Sequence, residues 1–393
     1  MNRTDFTRPI SFYLELHQQA VLSQVRVPGM VKDVVDQEAT AAAIKDLAVD
    51  TVLPVNELLI SLGESLKGFK VAIAVSGSTI SMLAEHAPAA IDSFVKLYAT
   101  GIVEWLVVPF HNSMSALVSG DVYREEMNHH MDTIHKHFGV HPVSALASPF
   151  FHPSMVELCK IMGLKALILK DEIPANTGRN YSGSGETSEC TVLMAVNMTK
   201  PGFREDLLAT GRELHESKSV LGGSYREFLD TSRRFVSTDP RRFLSETAAA
   251  GLLVWPSELS HHSGNPSAAL GDLPEFICND MQKAALSALR DLEAMSCNIV
   301  DSRIRGMWLE LLDGENFRQM DKAVSNRTNS QFLSAQDASN HLMDAIGKFR
   351  EIALTAEKRS DDAVVKSVEA DRQHNMPPTW AAQEQARYRD ITH

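Results

Sequence analysis

The first apolar segment of the chain carries a polar side chain at every second position. Strand alternation places the apolar side chains of SFYLELH on one face and the polar ones on the other, namely Ser11, Tyr13, Glu15 and His17. Glu15 and His17 are side-chain types that transfer protons or bind polar ligands. If this face lines a barrel, both lie near the rim where barrel enzymes place their chemistry. The alternative is an edge strand with a solvent-facing polar side.

Further polar residues directly follow the other strand-like segments. We expect them on loops that connect strands to helices at one end of a sheet, where barrel proteins contact their ligands. Each of them alone is also compatible with a helix cap or a satisfied polar group. The candidates are His111 and Asn112, His152, Asp171 and Glu172, and Trp255 and Glu258.

A histidine-rich segment, EEMNHHMDTIHKHFGVHP, raises the question of a metal site. Two helical ligands should stand four residues apart, as in HExxH, but the residues four after His129 and His130 are Thr133 and Ile134. The spacing therefore favours a solvated helix face, and we predict no metal and no cofactor. The histidines of the segment are His129, His130, His135, His137 and His141.

The remaining histidines and the cysteines add no second motif. His261 and His262 lie in the loop-like sequence SHHSGNP and are expected to face solvent. The cysteines contain no CxxC pair, which argues against both a disulfide framework and a zinc site. We expect reduced, packed thiols at Cys159, Cys190, Cys278 and Cys297.

Strand-like and helical segments alternate along the first two thirds of the chain. Several strand segments are apolar on both faces, which is typical of parallel strands covered by helices. No GxGxxG or GxxxxGK[ST] follows any of them, so a barrel is preferred over a nucleotide-binding sheet. The strand candidates are Ser11–His17, Phe69–Gly77, Val103–Pro109, Val143–Pro149, Ala166–Asp171, Asp206–Gly211 and Gly251–Pro256.

The pattern changes near residue 273, after which only helical segments follow. We therefore predict an α/β fold in which an irregular seven-stranded (β/α)7 barrel, residues 1–272, precedes a C-terminal helical bundle, residues 273–355. Residues 356–393 have few apolar side chains to bury and are predicted to form a mobile polar tail.

Composition excludes several classes of partner. The 393 residues contain 38 Lys and Arg against 50 Asp and Glu, a net charge of −12, without a basic cluster of the kind that binds nucleic acid. No run approaches the roughly 18 apolar residues of a membrane helix, and the N-terminus lacks the apolar core of a signal peptide. We expect a cytoplasmic protein without a nucleic-acid or membrane partner.

Several segments together resemble glycoside hydrolase family 57, the α-amylase and 4-α-glucanotransferase family. LELHQ at Leu14–Gln18 is similar to the first family motif, and Phe69–Ser113 is similar to the second motif with the helix before it. WPSEL at Trp255–Leu259 resembles the TPSE segment of the family. CNDMQKAALSALRDLE and MWLELLDGENFRQM resemble its last helix and final motif. The resemblance implies a seven-unit barrel followed by a helical bundle, with α-glucan metabolism as the activity.

The resemblance also implies two catalytic carboxylates of a retaining glycosidase, a Glu nucleophile and an Asp acid/base. The nucleophile position falls on Ser148 or Pro149 and the acid/base position on Gly211, with Glu213 two residues further on. In the second motif, the Glu and His of the family fall on Val108 and Asn112. The sequence thus identifies no catalytic residue and predicts a degenerate, weakly active or non-catalytic member.

These residues are compatible with three functions. The favoured one is a degenerate protein of α-glucan metabolism, and the alternatives are an active amylase or glucanotransferase that uses other carboxylates, and a scaffold that binds a glycan or a protein. Trp105, Trp255 and Trp308 are available for sugar stacking. A metal-dependent deacetylase would need an Asp/His/His set, which the strand ends do not supply. The predicted ligand-binding residues are Glu15, His17, Gln18, His111, Asn112, His152, Glu213, Trp255 and Glu258.

Overall fold

The structure is a computed structural model. It describes residues 9–23, 33–152, 154–170, 180–181, 190–197, 220–234, 252–253, 255–259, 268–269, 277–298, 301–321 and 332–374. The strand predicted at Asp206–Gly211 lies outside these residues.

A curled sheet of parallel strands forms the centre of the molecule. Its eight strands in the described part of the chain follow the order β2-β3-β4-β5-β7-β8-β1-β9, and β1 also pairs with β2, so seven of them close a ring. β6 and β10 form a separate antiparallel pair. The strands are β1 Pro9–Leu16, β2 Val71–Val75, β3 Val103–Val107, β4 Ser144–Leu146, β5 Ala166–Leu169, β6 Asn180–Tyr181, β7 Thr191–Asn197, β8 Val220–Ser224, β9 Leu252–Leu253 and β10 Ala268–Ala269. The predicted α/β barrel-like class is confirmed.

Helices connect the strands and continue after them. A short π-helical segment, Ala48–Val52, joins the first two. None of the helices in the described part combines the length and the hydropathy needed to cross a bilayer. The helices are α1 Gln37–Leu47, α2 Leu53–Ser65, α3 Gly77–His86, α4 Pro88–Ala99, α5 Ser115–Val118, α6 Gly120–Phe138, α7 Ser154–Ile161, α8 Tyr225–Arg234, α9 Pro256–Leu259, α10 Asp280–Asp291, α11 Glu293–Asn298, α12 Ser302–Leu311, α13 Gly314–Arg318 and α14 Ala335–His374.

The alternation of β1 separates two cores, as its sequence pattern predicts. Phe12, Leu14 and Leu16 pack outward in one core with α1 to α4, whereas Tyr13 belongs to a smaller cluster formed by the opposite strand faces. That inner cluster contains small side chains such as Ala72 and leaves room for polar residues above it. Because the odd-numbered face of β1 points inward, Glu15 and His17 are directed to the carboxyl end of the barrel.

Two strands, β7 and β8, have no counterpart among the predicted segments. β8 contains two adjacent glycines, which are more typical of turns than of strand interiors. A Cβ atom on Gly222 would lie 2.2 Å from Cδ1 of Tyr13 and 2.5 Å from its carbonyl oxygen. The ring can therefore close between β8 and β1 only because this position has no side chain.

The helices after residue 277 share a core with the barrel. Trp308, Leu312 and Phe317 belong to the same buried cluster as Ala147 and Phe150 of the β4 region. α14 packs against α10 and α12. It continues to His374, past the point at which the polar tail is predicted. Residues 356–374 are rich in Ala, Glu, Lys and Arg, which have a high intrinsic helix propensity.

Candidate functional site

A cavity of about 390 Å³ opens at the carboxyl ends of the strands. Its wall combines β1, the residues after β4 and β5, the β8–α8 region and the short helix α13. Most of the side chains are charged or polar, and Tyr13 is the aromatic one. The lining residues are Tyr13, Glu15, His17, Asn112, Pro149, Lys170, Gly223, Ser224, Arg226, Glu227, Asp230, Gly314, Glu315 and Arg318.

Glu15, Lys170 and Ser148 form a hydrogen-bonded set in the wall of this cavity. Nζ of Lys170 lies 2.6 Å from Oε2 of Glu15 and donates to Oγ of Ser148 at 2.9 Å, and Ser148 donates to Oε1 of Glu15. Burial alone would raise the pKa of Glu15, but the ammonium group of Lys170 and these hydrogen bonds lower it. Glu15 is therefore a carboxylate at neutral pH, with both oxygens engaged.

His17 connects the barrel to the C-terminal helices. Its Nδ1 lies 2.8 Å from Oγ of Ser76, and its Nε2 lies 2.9 Å from Oδ2 of Asp313, a carboxylate only 1% exposed. Burial alone would lower the pKa of His17, but the charge of Asp313 and its hydrogen bond raise it. The imidazole is held in place from both sides and favours the protonated form.

Asp313 also fixes the helix that closes one side of the cavity. Its side chain accepts from the backbone N–H of Glu315 at 2.8 Å and thereby caps α13. The next residue, Gly314, allows a close approach, because a Cβ atom there would lie 2.2 Å from Cγ of Pro149. Its N–H donates to the carbonyl of Asn112 at 3.1 Å. The cavity is thus built jointly by the barrel and by a segment near residue 314.

A second charged cluster lies beneath the loop after β3. Nδ1 of His111 lies 2.6 Å from Oε1 of Glu126, and its Nε2 lies 3.6 Å from Oε1 of Glu310. Burial would lower the pKa of His111, but the two carboxylates raise it to about 8. The pKa of Glu310 is raised, with its burial as the main cause. Across the described ranges, no group of three or more His, Cys, Asp or Glu side chains is arranged to hold a metal ion.

The mouth of the cavity is formed partly by α8. Glu227 accepts from the backbone N–H of Ser224 at 2.7 Å and from its hydroxyl at 3.0 Å, which fixes the start of this helix. One turn further on, Asp230 is exposed, as is Arg226. On the opposite side, Arg318 binds Glu315 through two hydrogen bonds of 2.7 and 3.0 Å. A ligand in the cavity would meet several hydrogen-bonding groups together with a similar extent of apolar surface.

The sequence profile of glycosyl hydrolase family 57 matches residues 11–195, which include β1 and the strands up to β7. Residues 11–195, a little under half of the chain, are therefore similar to glycosyl hydrolase family 57. A comparison with curated protein sequences gave no match.

Solved structures share the fold at low sequence identity. A 4-α-glucanotransferase from Thermococcus litoralis is 14% identical with a TM-score of 0.54, and the match covers 88% of this chain but only 59% of that one. A family 57 branching enzyme from Thermococcus kodakaraensis, solved in complex with glucose, is 11% identical with a TM-score of 0.57, covering 87% and 90% of the two chains. A branching enzyme from Pyrococcus horikoshii is 9% identical with a TM-score of 0.58, covering 90% and 94%.

Of the ligand-binding residues predicted from the family 57 resemblance and the strand ends, Glu15, His17 and Asn112 line the cavity. The side chain of Gln18 donates instead to the carbonyl of Gln19, and Nδ1 of His152 lies 2.7 Å from Oγ of Ser154. His111 is buried behind the loop. Six of the candidate residues lie outside the described part of the chain, namely Asp171, Glu172, Gly211, Glu213, His261 and His262.

Trp255 and Glu258 lie at the opposite, amino end of the strands. Oε1 and Oε2 of Glu258 accept from Nζ of Lys70 at 2.9 and 2.8 Å, and Nε1 of Trp255 donates to the carbonyl of Ile102, the residue before β3. The expected placement at the barrel mouth is therefore wrong. The reason is register: β9 pairs with the first two residues of β1, so the residues after β9 lie where β1 begins.

Three further interpretations of single residues are corrected by burial. His130 is fully buried, with Nδ1 2.8 Å from the carbonyl oxygen of Val108, so it does not belong to a solvated helix face. Burial lowers its pKa to about 4. Trp105 and Trp308 are fully packed in the cores and offer no face to a sugar.

Sequence reasoning missed Lys170 and Asp313. Lys170 directly follows a completely buried strand, β5, and this position could have identified it as a rim residue. Asp313 stands before GENF and could have been recognised as a helix cap, but its contact with His17 spans 296 positions and has no local signal.

Proposed function

We propose that the chain binds an α-glucan or a short oligosaccharide in this cavity and does not cleave it by the two-carboxylate mechanism. The match of residues 11–195 to the family 57 profile and the fold shared with glucan-processing enzymes support a role in carbohydrate metabolism. The volume of about 390 Å³ is within the usual range for small-molecule sites, and its polar wall suits a ligand rich in hydroxyl groups.

The proposal rests on the contacts of Glu15, whose two carboxylate oxygens are already bonded to Lys170 and Ser148. A retaining glycosidase needs a carboxylate that attacks the anomeric carbon and an acid that protonates the leaving oxygen, about 5–5.5 Å apart. The resemblance to family 57 assigns the nucleophile position to Ser148 or Pro149, and neither residue has a carboxyl group. Glu15 is adjacent, but Lys170 at 2.6 Å neutralises it and Ser148 occupies its other oxygen.

A second candidate, an active glycosidase that uses Glu15 as a substitute nucleophile, has one observation in its favour. The pKa of Glu15 is lowered on balance, so this side chain is ionised as a nucleophile must be. Attack would, however, remove the carboxylate from its contact with Lys170. Turnover measurements separate the two candidates.

The test is calorimetric titration of the purified chain with maltooligosaccharides of two to seven units, in parallel with a reducing-sugar assay. We expect saturable binding without turnover. Turnover of the unmodified chain that is abolished in Glu15→Gln would favour the second candidate. Absence of both binding and turnover would contradict both and leave a scaffold that binds a protein.

Two variants locate the binding site. Glu15→Gln removes the charge from the cavity wall and should weaken saccharide binding by about tenfold or more, equal to about 1.4 kcal/mol. Glu258→Gln makes the same chemical change at the other end of the barrel, and its affinity should equal that of the unmodified chain. Equal losses in both variants would place the saccharide elsewhere.

A further inference from the structure

Lys170 is a primary amine in a cavity, and its immediate partners could transfer its proton. Its side chain is 22% exposed and lines the cavity wall. Oε2 of Glu15 lies 2.6 Å from Nζ, and Oγ of Ser148 lies 2.9 Å from it. These distances allow a proton to pass from the ammonium group to the carboxylate and back without a bridging water.

We propose that Lys170 forms a reversible imine with the carbonyl group of a small aldehyde or of the open-chain form of a reducing saccharide. Lysine amines bind carbonyl compounds in this way when a neighbouring group takes up and returns the proton. The wall offers that group in Glu15. Binding of a saccharide in its ring form, as in the proposed function, is not required for this chemistry.

The reaction balances with the groups that are present. Glu15 accepts one proton from the ammonium group of Lys170, and the neutral amine attacks the carbonyl carbon to form a carbinolamine. The carboxyl group of Glu15 then returns its proton to the carbinolamine hydroxyl, which leaves as water. The products are a protonated imine on Lys170 and a carboxylate on Glu15, so the pair carries the same charges as before. No oxidant or reductant takes part.

Lys70 supplies a matched lysine in the same molecule. It also pairs with a glutamate, Glu258, and its side chain is 26% exposed, close to the 22% of Lys170. Nζ of Lys70 contacts both oxygens of Glu258 and lies 4.0 Å from the centre of the Trp255 ring. It is not among the residues that line the cavity. A difference in reactivity between the two lysines therefore reports the cavity and not mere exposure.

The experiment traps the imine by reduction. The full chain is incubated at neutral pH with glycolaldehyde and cyanoborohydride, and the modified peptides are quantified by mass spectrometry. We expect Lys170 to be modified at least about tenfold faster than Lys70. Equal rates at the two lysines would overturn the proposal. Because this comparison is made within the unmodified protein, it does not depend on the folding of any variant.

Two variants and two saccharides complete the test. K170R keeps a cation beside Glu15 but cannot form an imine, so it should lose the fast modification, while K70R should leave the rate at Lys170 unchanged. Maltose has an open-chain aldehyde and maltitol has none, so trapping with maltose identifies a reducing saccharide as ligand, and trapping with glycolaldehyde alone identifies a small aldehyde. Binding of both disaccharides, with no fast trapping at Lys170 by either maltose or glycolaldehyde, would support the proposed function and refute the imine.

Discussion

The two ends of the barrel each hold a lysine and glutamate pair, and the pairs differ in their surroundings. At the carboxyl end, Lys170 and Glu15 are 22% and 17% exposed and border a cavity. At the amino end, Lys70 and Glu258 are 26% and 38% exposed and contact Trp255. An ion pair therefore does not by itself mark a ligand-binding site. The carboxyl end differs because β1, the residues after β4 and β5, and α13 all meet there.

The largest difference between the two ends should appear when a buried carboxylate is removed. Asp313→Ala leaves His17 without its acceptor and α13 without its cap, and we expect a loss of about 3 kcal/mol in the free energy of unfolding. Glu258→Ala, the control at the amino end, should cost less than about 1 kcal/mol because its partner stays solvated. Urea unfolding of both variants measures this. Similar losses of unfolding free energy in the two variants would show that Asp313 does not hold the barrel and the C-terminal helices together.

The carboxyl end should also give the molecule a pH dependence. The pKa of His111 is raised to about 8 in the folded chain, against 6.5 when unfolded. Its contribution, about 2 kcal/mol, is therefore fully present below pH 6.5 and is lost as the pH rises through 8. Unfolding by urea at a series of pH values measures the slope. His111→Gln should flatten the profile in this window, and an unchanged slope would contradict the assignment.

A smaller difference is expected when the lysines are exchanged for an uncharged side chain of similar length. Lys170→Met leaves the more enclosed carboxylate of Glu15 without its cation, and we expect a loss of about 1–2 kcal/mol in stability. Lys70→Met, its counterpart, should cost less than about 1 kcal/mol. Thermal unfolding of the two variants under identical conditions compares them. A larger loss of stability in Lys70→Met would show that the ion pair at the amino end stabilises the fold more than the pair at the carboxyl end.

The smallest effect is expected at Trp255. Trp255→Phe removes the hydrogen bond to the carbonyl of Ile102 and weakens the contact with Lys70, which together should cost about 1 kcal/mol or less. Saccharide affinity should not change, because the side chain lies at the end away from the cavity. Calorimetric titration measures this, and a loss of affinity would restore Trp255 as a sugar contact.

The sequence could predict which face of a strand a side chain lies on, but not which residues far apart in the chain would be in contact. The period-2 pattern of β1 placed Glu15 and His17 on the inner face correctly, because alternation is a local property. The partners of His17 are 59 and 296 positions away, and no local rule joins them. Trp255 was assigned to the wrong end because the register of β9 depends on its pairing with β1. β8 is not predicted because its two glycines are typical of turns. Only the folded structure shows that Tyr13 approaches Gly222 too closely for a side chain to fit there.

The contact between His17 and Asp313 has a consequence for synthesis of the protein. The two residues are 296 positions apart, and a ribosome adds roughly 5–20 residues per second. Asp313 is therefore synthesised about 15–60 s after His17. During that interval the strands can pair, but the cavity lacks the wall that α13 provides. Ligand binding by a nascent chain should accordingly begin only after residues 313–318 have left the ribosome.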